Sequence, residues 1–144
     1  MNYSQKFFAA LSTGQNALAV ELLDENPELV NMRGKGEIAP LHLVAQTGNL
    51  QMADVLISRG ANLEAVCSSI GSTPLKYAIF FANIQMVKKL LKAGADLNNR
   101  GANQRTPLQL AEDATSPMFR EMGTPGSDLD YARIANILRS RVSS

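Results

Sequence analysis

The chain of 144 residues has no tryptophan, one cysteine and one histidine, and each scarcity closes off some chemistry. A lone Cys67 excludes an internal disulfide framework and any cysteine-based zinc cluster. It fits a reducing compartment, so a cytoplasmic location is the expectation. With His42 as the single histidine, neither a His-rich metal site nor a Cys–His nucleophilic pair has its parts. Glycines are scattered, and no P-loop or dinucleotide fingerprint forms from them. No apolar run approaches the ~20 residues that span a bilayer. The Phe7–Leu11 stretch FFAAL is too short for a signal-peptide core, so a soluble protein without a visible export signal or membrane partner is expected. Formal net charge is +1, which offers no global attraction to nucleic acid. Lys88, Lys89 and Lys92 alternate with an apolar helix face and read as its solvated side, making nucleic acid an unlikely partner. Glu112 and Asp113 are adjacent and point to different sides of a helix. Glu121, Asp128 and Asp130 lack a recognisable catalytic partner. No enzyme activity, metal or cofactor is therefore expected.

What the chain does have is a ruler. Pro40-Leu41, Pro74-Leu75 and Pro107-Leu108 are spaced by 34 and then 33 residues, the period of a helix-pair repeat. Gly60-Ala61 and Gly94-Ala95 each fall twenty residues past their prolines. Thr73-Pro74 and Thr106-Pro107 put a hydroxyl at the N-cap and proline at the first helical position, where its missing N–H costs nothing. A short helix, a break at Thr47-Gly48-Asn49 or Ala82-Asn83, and a second helix follow. The second helix carries apolar residues at helical spacing, as in Ile84, Val87, Leu90 and Leu91. Gly60 and Gly94 then supply a left-handed stop. Helices this short are marginal alone, so the units must stack on one another to fold.

The stretches IAPLHLVAQTGNLQMADVLISRGANLEA, STPLKYAIFFANIQMVKKLLKAGADLNN and RTPLQLAEDA resemble the ankyrin repeat, whose pattern begins T-P-L-H-x-A. The resemblance implies an all-α solenoid of stacked helix-turn-helix units joined by hairpin-like loops. About four repeats are implied, with degenerate units at the ends. Residues 1–144 then form a single domain with units near 3–32, 33–66, 67–99 and 100–144. In the first unit Phe7–Leu11 is the first helix, Gly14 the break, Ala17–Leu23 the second helix, and ENPELVN replaces the glycine stop. In the last, TSPMFREMGTPGSDLD interrupts the pattern before YARIANILR, an insertion near 115–129 of about 15 residues judged from the period. Met118, Phe119 and Met122 are too apolar for a purely solvated linker. Two readings stand open: the insertion folds back to cover the end of the stack, or it is a mobile partner-binding element. The Thr–His pair of the family motif is never complete here. Ala39 accompanies His42, Thr73 accompanies Lys76, and Thr106 accompanies Gln109, so modest stability is expected.

Family resemblance also implies a non-enzymatic module that binds a partner protein through the concave face of hairpin tips and inner helices, as a regulator, inhibitor or scaffold. Carried onto this chain, the contact positions are Arg33, Lys35, Ile38, Gln46 and Thr47 in the second unit. In the third they are Ser69, Ile70, Ser72, Tyr77, Phe80 and Phe81, and in the fourth Arg100, Asn103, Arg105 and Asp113. The family usually places polar, exposed residues where Phe80 and Phe81 stand. Consecutive helical residues point about 100° apart, so at least one of the two faces away from the interior stripe of Leu75, Ala78 and Ile79. An apolar binding patch and plain packing against the next repeat both remain open. The alternative function is a homodimer using the Phe80/Phe81 patch or the 115–128 insertion. Cys67 falls in a hairpin between units, where exposure without a reactive role is expected.

Overall fold

The computed structural model describes residues 2–68 and 70–142. Its regular elements are all helical: α1 (Tyr3–Ser12), α2 (Asn16–Glu25), α3 (Pro40–Thr47), α4 (Leu50–Ser58), α5 (Pro74–Phe80), α6 (Ile84–Ala93), α7 (Pro107–Asp113), α8 (Pro117–Glu121) and α9 (Asp128–Val142), with 3-10 turns at Pro27–Asn31 and Lys35–Glu37. The helix starts follow from the capping chemistry. Thr73 Oγ1 accepts from the Lys76 N–H at 3.3 Å and Thr106 Oγ1 from the Gln109 N–H at 3.1 Å. Ala39 has no such oxygen; there the Ala39 N–H donates to His42 Nδ1 at 3.1 Å, so only half of the capping exchange survives.

The helices form two layers. The first helix of each unit packs on the next, α1 on α3, α3 on α5 and α5 on α7, and the second helices α4, α6 and α9 follow in parallel order behind them. One apolar core runs the length of this stack, from Phe7 and Leu11 through Leu41, Leu56, Leu75, Ile79 and Leu90 to Ile134 and Leu138. Because each unit buries its face against its neighbours, stability is shared along the array rather than held within a unit.

Hairpin-like loops join the units. One is closed by the Gly34 N–H donating to Ile38 O at 2.8 Å, the next by Cys67 N–H to Ser72 O at 3.1 Å. Neighbouring tips are tied as well: Ser68 N–H donates to Gly36 O and Ala102 N–H to Gly71 O, both at 2.8 Å. The second tie needs glycine on both sides. A β-carbon on Gly71, where φ is +63°, would lie 2.6 Å from Ala102 Cβ, and one on Gly101, where φ is +61°, would lie 2.2 Å from Gly71 O. This folding corrects the expectation for Cys67, which is only 1 % exposed with its Sγ 3.5 Å from the Tyr77 hydroxyl.

The segment after α7 folds back on the stack. Phe119 of α8 is buried, and Thr124 Oγ1 donates to Ala114 O at 2.9 Å. Arg120 staples the following loop, donating from Nη1 to Thr124 O at 3.1 Å and Gly126 O at 2.6 Å, and from Nη2 to Asp128 at 2.7 Å. Gly126 crosses Ala82 so closely that a β-carbon there would sit 2.4 Å from Ala82 Cβ. Tyr131 of α9 then reaches across to donate its hydroxyl to Phe80 O at 2.5 Å.

Candidate functional site

Helix α5 turns its Leu75, Ala78 and Ile79 inward and leaves Tyr77, Phe80 and Phe81 toward the inner-helix face. Those aromatics form a ladder. Tyr77 stands edge-on to His42 at 5.0 Å between ring centres, Phe81 is 6.2 Å from Tyr77, and Phe80 is 5.1 Å from Phe81. Phe80 and Phe81 are each half-buried, packed against the core on one side and open on the other. Patch and packing are thus two sides of the same rings.

Opposite them stands a wall built by the insertion. Met118, Phe119 and Met122, with Leu110 of α7, face Tyr77, Phe80 and Phe81 across a cleft of about 620 Å³. Ile70 sits on its rim, and Ile70, Met118 and Met122 are 50 %, 50 % and 61 % exposed. The guanidinium of Arg105 lies 5.0 Å over the Phe119 ring and pairs through Nε with Asp113 at 3.1 Å, fixing the ring from the α7 side.

The floor contains Lys76. It occupies the position that His42 has one unit earlier, and its side chain is fully buried. Its Nζ donates to Arg100 O at 2.7 Å and to Asn103 Oδ1. Loss of water, and secondarily the like charge of Arg105, push its pKa down to about 8. His42 makes the corresponding bridge with Nε2 donating to Ser72 O at 2.8 Å. Since Nδ1 accepts from Ala39, its neutral Nε2–H tautomer is required, and burial lowers its pKa in agreement.

Of the residues expected at the site, the cleft brings together Gln46, Ile70, Ser72, Tyr77, Phe80, Phe81, Asn103 and Arg105. Arg33, Lys35, Ile38, Thr47, Arg100 and Asp113 lie outside its lining, and Ser69 lies outside the described residues. The guanidiniums of Arg33 and Arg100 hold loop carbonyls: Arg33 Nη1 donates to Glu37 O of its own hairpin at 2.6 Å and to Val66 O beside the next at 3.1 Å, and Arg100 Nη1 donates to Gln104 O of its own at 2.9 Å. Lys76, Leu110, Met118, Phe119 and Met122 join the cleft without having been expected there. Lys76 had a usable signal, since register alone aligns it with a histidine that reaches the next hairpin. On the outer layer Lys89 pairs with Asp54 and Arg59 with Asp24, both at 2.6 Å, which ties neighbouring second helices together.

Among the described residues, no group of three or more His, Cys, Asp or Glu side chains is placed to hold a metal ion, and no helix is long and apolar enough to cross a membrane. Comparison with known sequences matches residues 7–101 to the family model for ankyrin repeats in three copies. Mouse ankyrin repeat and SAM domain-containing protein 6 is 36 % identical over 103 residues, 72 % of this chain and 12 % of the relative. The putative ankyrin repeat protein FPV031 of fowlpox virus is 37 % identical over 99 residues, 64 % of this chain and 28 % of the relative. Target of rapamycin complex 2 subunit AVO2 of Saccharomyces cerevisiae is 31 % identical over 141 residues, 92 % of this chain and 33 % of the relative. The chain therefore spans between 12 % and 33 % of the length of these relatives.

Proposed function

The chain belongs to the ankyrin-repeat family, whose repeats are generally protein–protein interaction modules, and on that footing we propose that it is a non-enzymatic module docking a partner protein in the inner-face cleft. Its role is that of a regulator, inhibitor or scaffold subunit. The observation that carries this reading is the aromatic cleft itself: Tyr77, Phe80 and Phe81 on one wall, Met118 and Met122 on the other, in a size suited to a few side chains. Aromatic anchors beside arginine dominate interface energetics, and Arg105 stands at the rim. The yeast relative is by its name a subunit of a complex, which supports the scaffold reading. A single cysteine leaves no internal disulfide to form, which suits a reducing compartment, and the cytoplasm is the proposed location.

A Phe80→Ala/Phe81→Ala double variant tests this. Wild-type and variant chains are compared in affinity capture from source lysate with quantitative mass spectrometry. Truncating an anchor costs about 2 kcal/mol, so capture of the partner should fall roughly 30-fold per anchor at limiting bait. A folded variant that retains every partner sinks the proposed site. Ile70, Met118 and Met122, exposed together on one rim, also favour a second reading in which two copies pair through this face. A strictly monomeric mass across a concentration series removes it.

A further inference from the structure

The cleft carries a charge that its own lining does not answer. Among its described lining residues are two cations, Lys76 and Arg105, and no carboxylate. The buried Lys76 ammonium is held by a backbone carbonyl and the Asn103 side-chain oxygen, both neutral. Asp113, just outside the lining, serves Arg105. Arg105 thus has a carboxylate partner and Lys76 has none, and around the buried ammonium the loss of water strengthens its charge–charge interactions. An ammonium has three donors, and two are used. Asn103 is exposed on its hairpin, tethered by Nδ2 to Ser72 Oγ at 3.2 Å, and is the group an incoming ligand can displace. Apart from Gln46, Ser72 and Asn103, the rest of the cleft is largely apolar, with methionines that adapt their shape to what enters. A purely acidic ligand would leave the aromatic wall unfilled.

We infer that the occupant is a short segment of a partner protein bearing an aspartate or glutamate beside a large apolar side chain, the carboxylate meeting Lys76 and Arg105 and the apolar group lying between Phe81 and Met122. This rests on the reading of the cleft as the docking face and specifies what that face selects. Charge complementarity sets the choice: the acid relieves the repulsion between the two cations while the aromatic wall buries its neighbour.

The test uses the full chain and a matched set of fluorescein-labelled Gly/Ser peptides, acetylated and amidated at their ends. Each carries one Phe or Leu close to Asp, Glu, Asn, Gln or Lys. By fluorescence polarisation the acidic members should bind about tenfold more tightly than their amide twins, a difference near 1.4 kcal/mol. That preference should vanish in Lys76→Met and persist in Lys88→Met, which alters the solvent-exposed side of α6. It should also fade between about pH 7 and pH 9.5 as Lys76 gives up its proton. Around Lys76 the charged and titratable groups are His42 of α3, Tyr77 of α5, and Arg100, Arg105 and Asp113 of the α7 side; Glu112 of α7 is engaged by Arg139, Lys89 of α6 by Asp54, and Lys88 and Lys92 of α6 are exposed. Arginine keeps its charge throughout this range, and His42 is already neutral through burial. The pH titration of the wild-type chain stands even if Lys76→Met does not fold. Equal binding of acid and amide, a preference that survives Lys76→Met or ignores pH, or no binding by any member overturns the inference. Apolar peptides that bind regardless of their acid, and are lost in Phe80→Ala/Phe81→Ala, overturn it while leaving the docking face intact. A dimer in light scattering that Phe81→Ser dissolves makes a second copy the occupant, and also overturns it.

Discussion

Two joints in the stack meet the same demand with different side chains. Between the second and third units, His42 bridges from α3 to Ser72 O, and Asn83 Nδ2 donates back to Ala45 O at 2.7 Å and Gln46 O at 3.1 Å. Between the third and fourth, Lys76 bridges from α5 to Arg100 O, and Tyr131 donates back to Phe80 O. Gln46 and Phe80 each stand six residues past their prolines, so the same carbonyl is being held in both joints. The comparison teaches that the architecture prescribes which backbone groups must be answered and leaves open which side chain answers them. Where the answer is His and Asn the joint is neutral. Where it is Lys and Tyr the joint carries a buried charge and borders the cleft.

The sharpest way to test that contrast is to remove the bridging residues. His42→Ala strands the Ala39 N–H, leaves the Ser72 carbonyl with only its Cys67 N–H donor and empties a buried site, and should cost roughly 3 kcal/mol in urea denaturation. Lys76→Met exchanges a buried cation for an apolar side chain of similar length. Its acceptors lie on the exposed residues Arg100 and Asn103, where water can replace it, so the change at pH 7 should stay within about 1 kcal/mol. The pH profile separates the two further. Both groups have a folded pKa below the unfolded one, so the unfolded chain binds the extra proton and stability rises with pH through each window. His42 makes the fold weaken as pH falls below 6.5, and Lys76 makes it strengthen from about pH 8 toward 10.5. His42→Ala should flatten the first rise and Lys76→Met the second. A wild-type profile flat above pH 8 would mean that Lys76 is not buried as a cation.

Tyr131→Phe probes the return bond with a smaller effect. Phe80 O loses its donor while the ring stays, and about 1–2 kcal/mol should be lost. The Gly126 N–H, which donates to the same hydroxyl at 3.2 Å, loses its acceptor too. Near Tyr131 the spectroscopic change should fall on α5 and the loop from 122 to 127, and proton exchange measured residue by residue can locate it. A loss spread evenly over α1 to α4 would contradict a local joint.

These joints also mark the limit of what the amino-acid sequence makes legible. Proline at the first helical position, threonine caps and glycine stops are local signals, and they repeat in register, so helix order and layering could be read directly. Phe80 and Phe81 stood out because they break the expected polarity at one position of that register. Lys76 offered only its register with His42, because its burial depends on a carbonyl 24 residues away that only the folded hairpin presents. Tyr131 was hidden by the insertion, which shifts it out of step with Asn83. Met118, Phe119 and Met122 looked too apolar for a linker, yet nothing local says which wall they build. Arg33 and Arg100 read as rim charges, and the carbonyls that their guanidiniums hold, Glu37 O and Val66 O for the first and Gln104 O for the second, are presented only by the folded loops.

The smallest contrast lies at the break between the two helices of a unit. Gly48 and Ala82 both stand eight residues past their prolines and both adopt a left-handed backbone, with φ of +75° and +57°. A β-carbon in that region costs about 1–2 kcal/mol, and glycine returns part of the gain through its freer unfolded chain. Ala82→Gly should therefore stabilise by about 0.5 kcal/mol, raising Tm by roughly 1–2 °C. Gly48→Ala should lower stability by about 1 kcal/mol, since strain adds to a new contact 3.3 Å from Asn83 Oδ1. The pair is informative because Ala82 has a second neighbour that Gly48 lacks: its methyl group faces Gly126 of the folded-back loop. If Ala82→Gly destabilises, the methyl is worth more as a support for that loop than it costs as a strained residue. In that case the third unit has exchanged backbone comfort for a wall of the cleft.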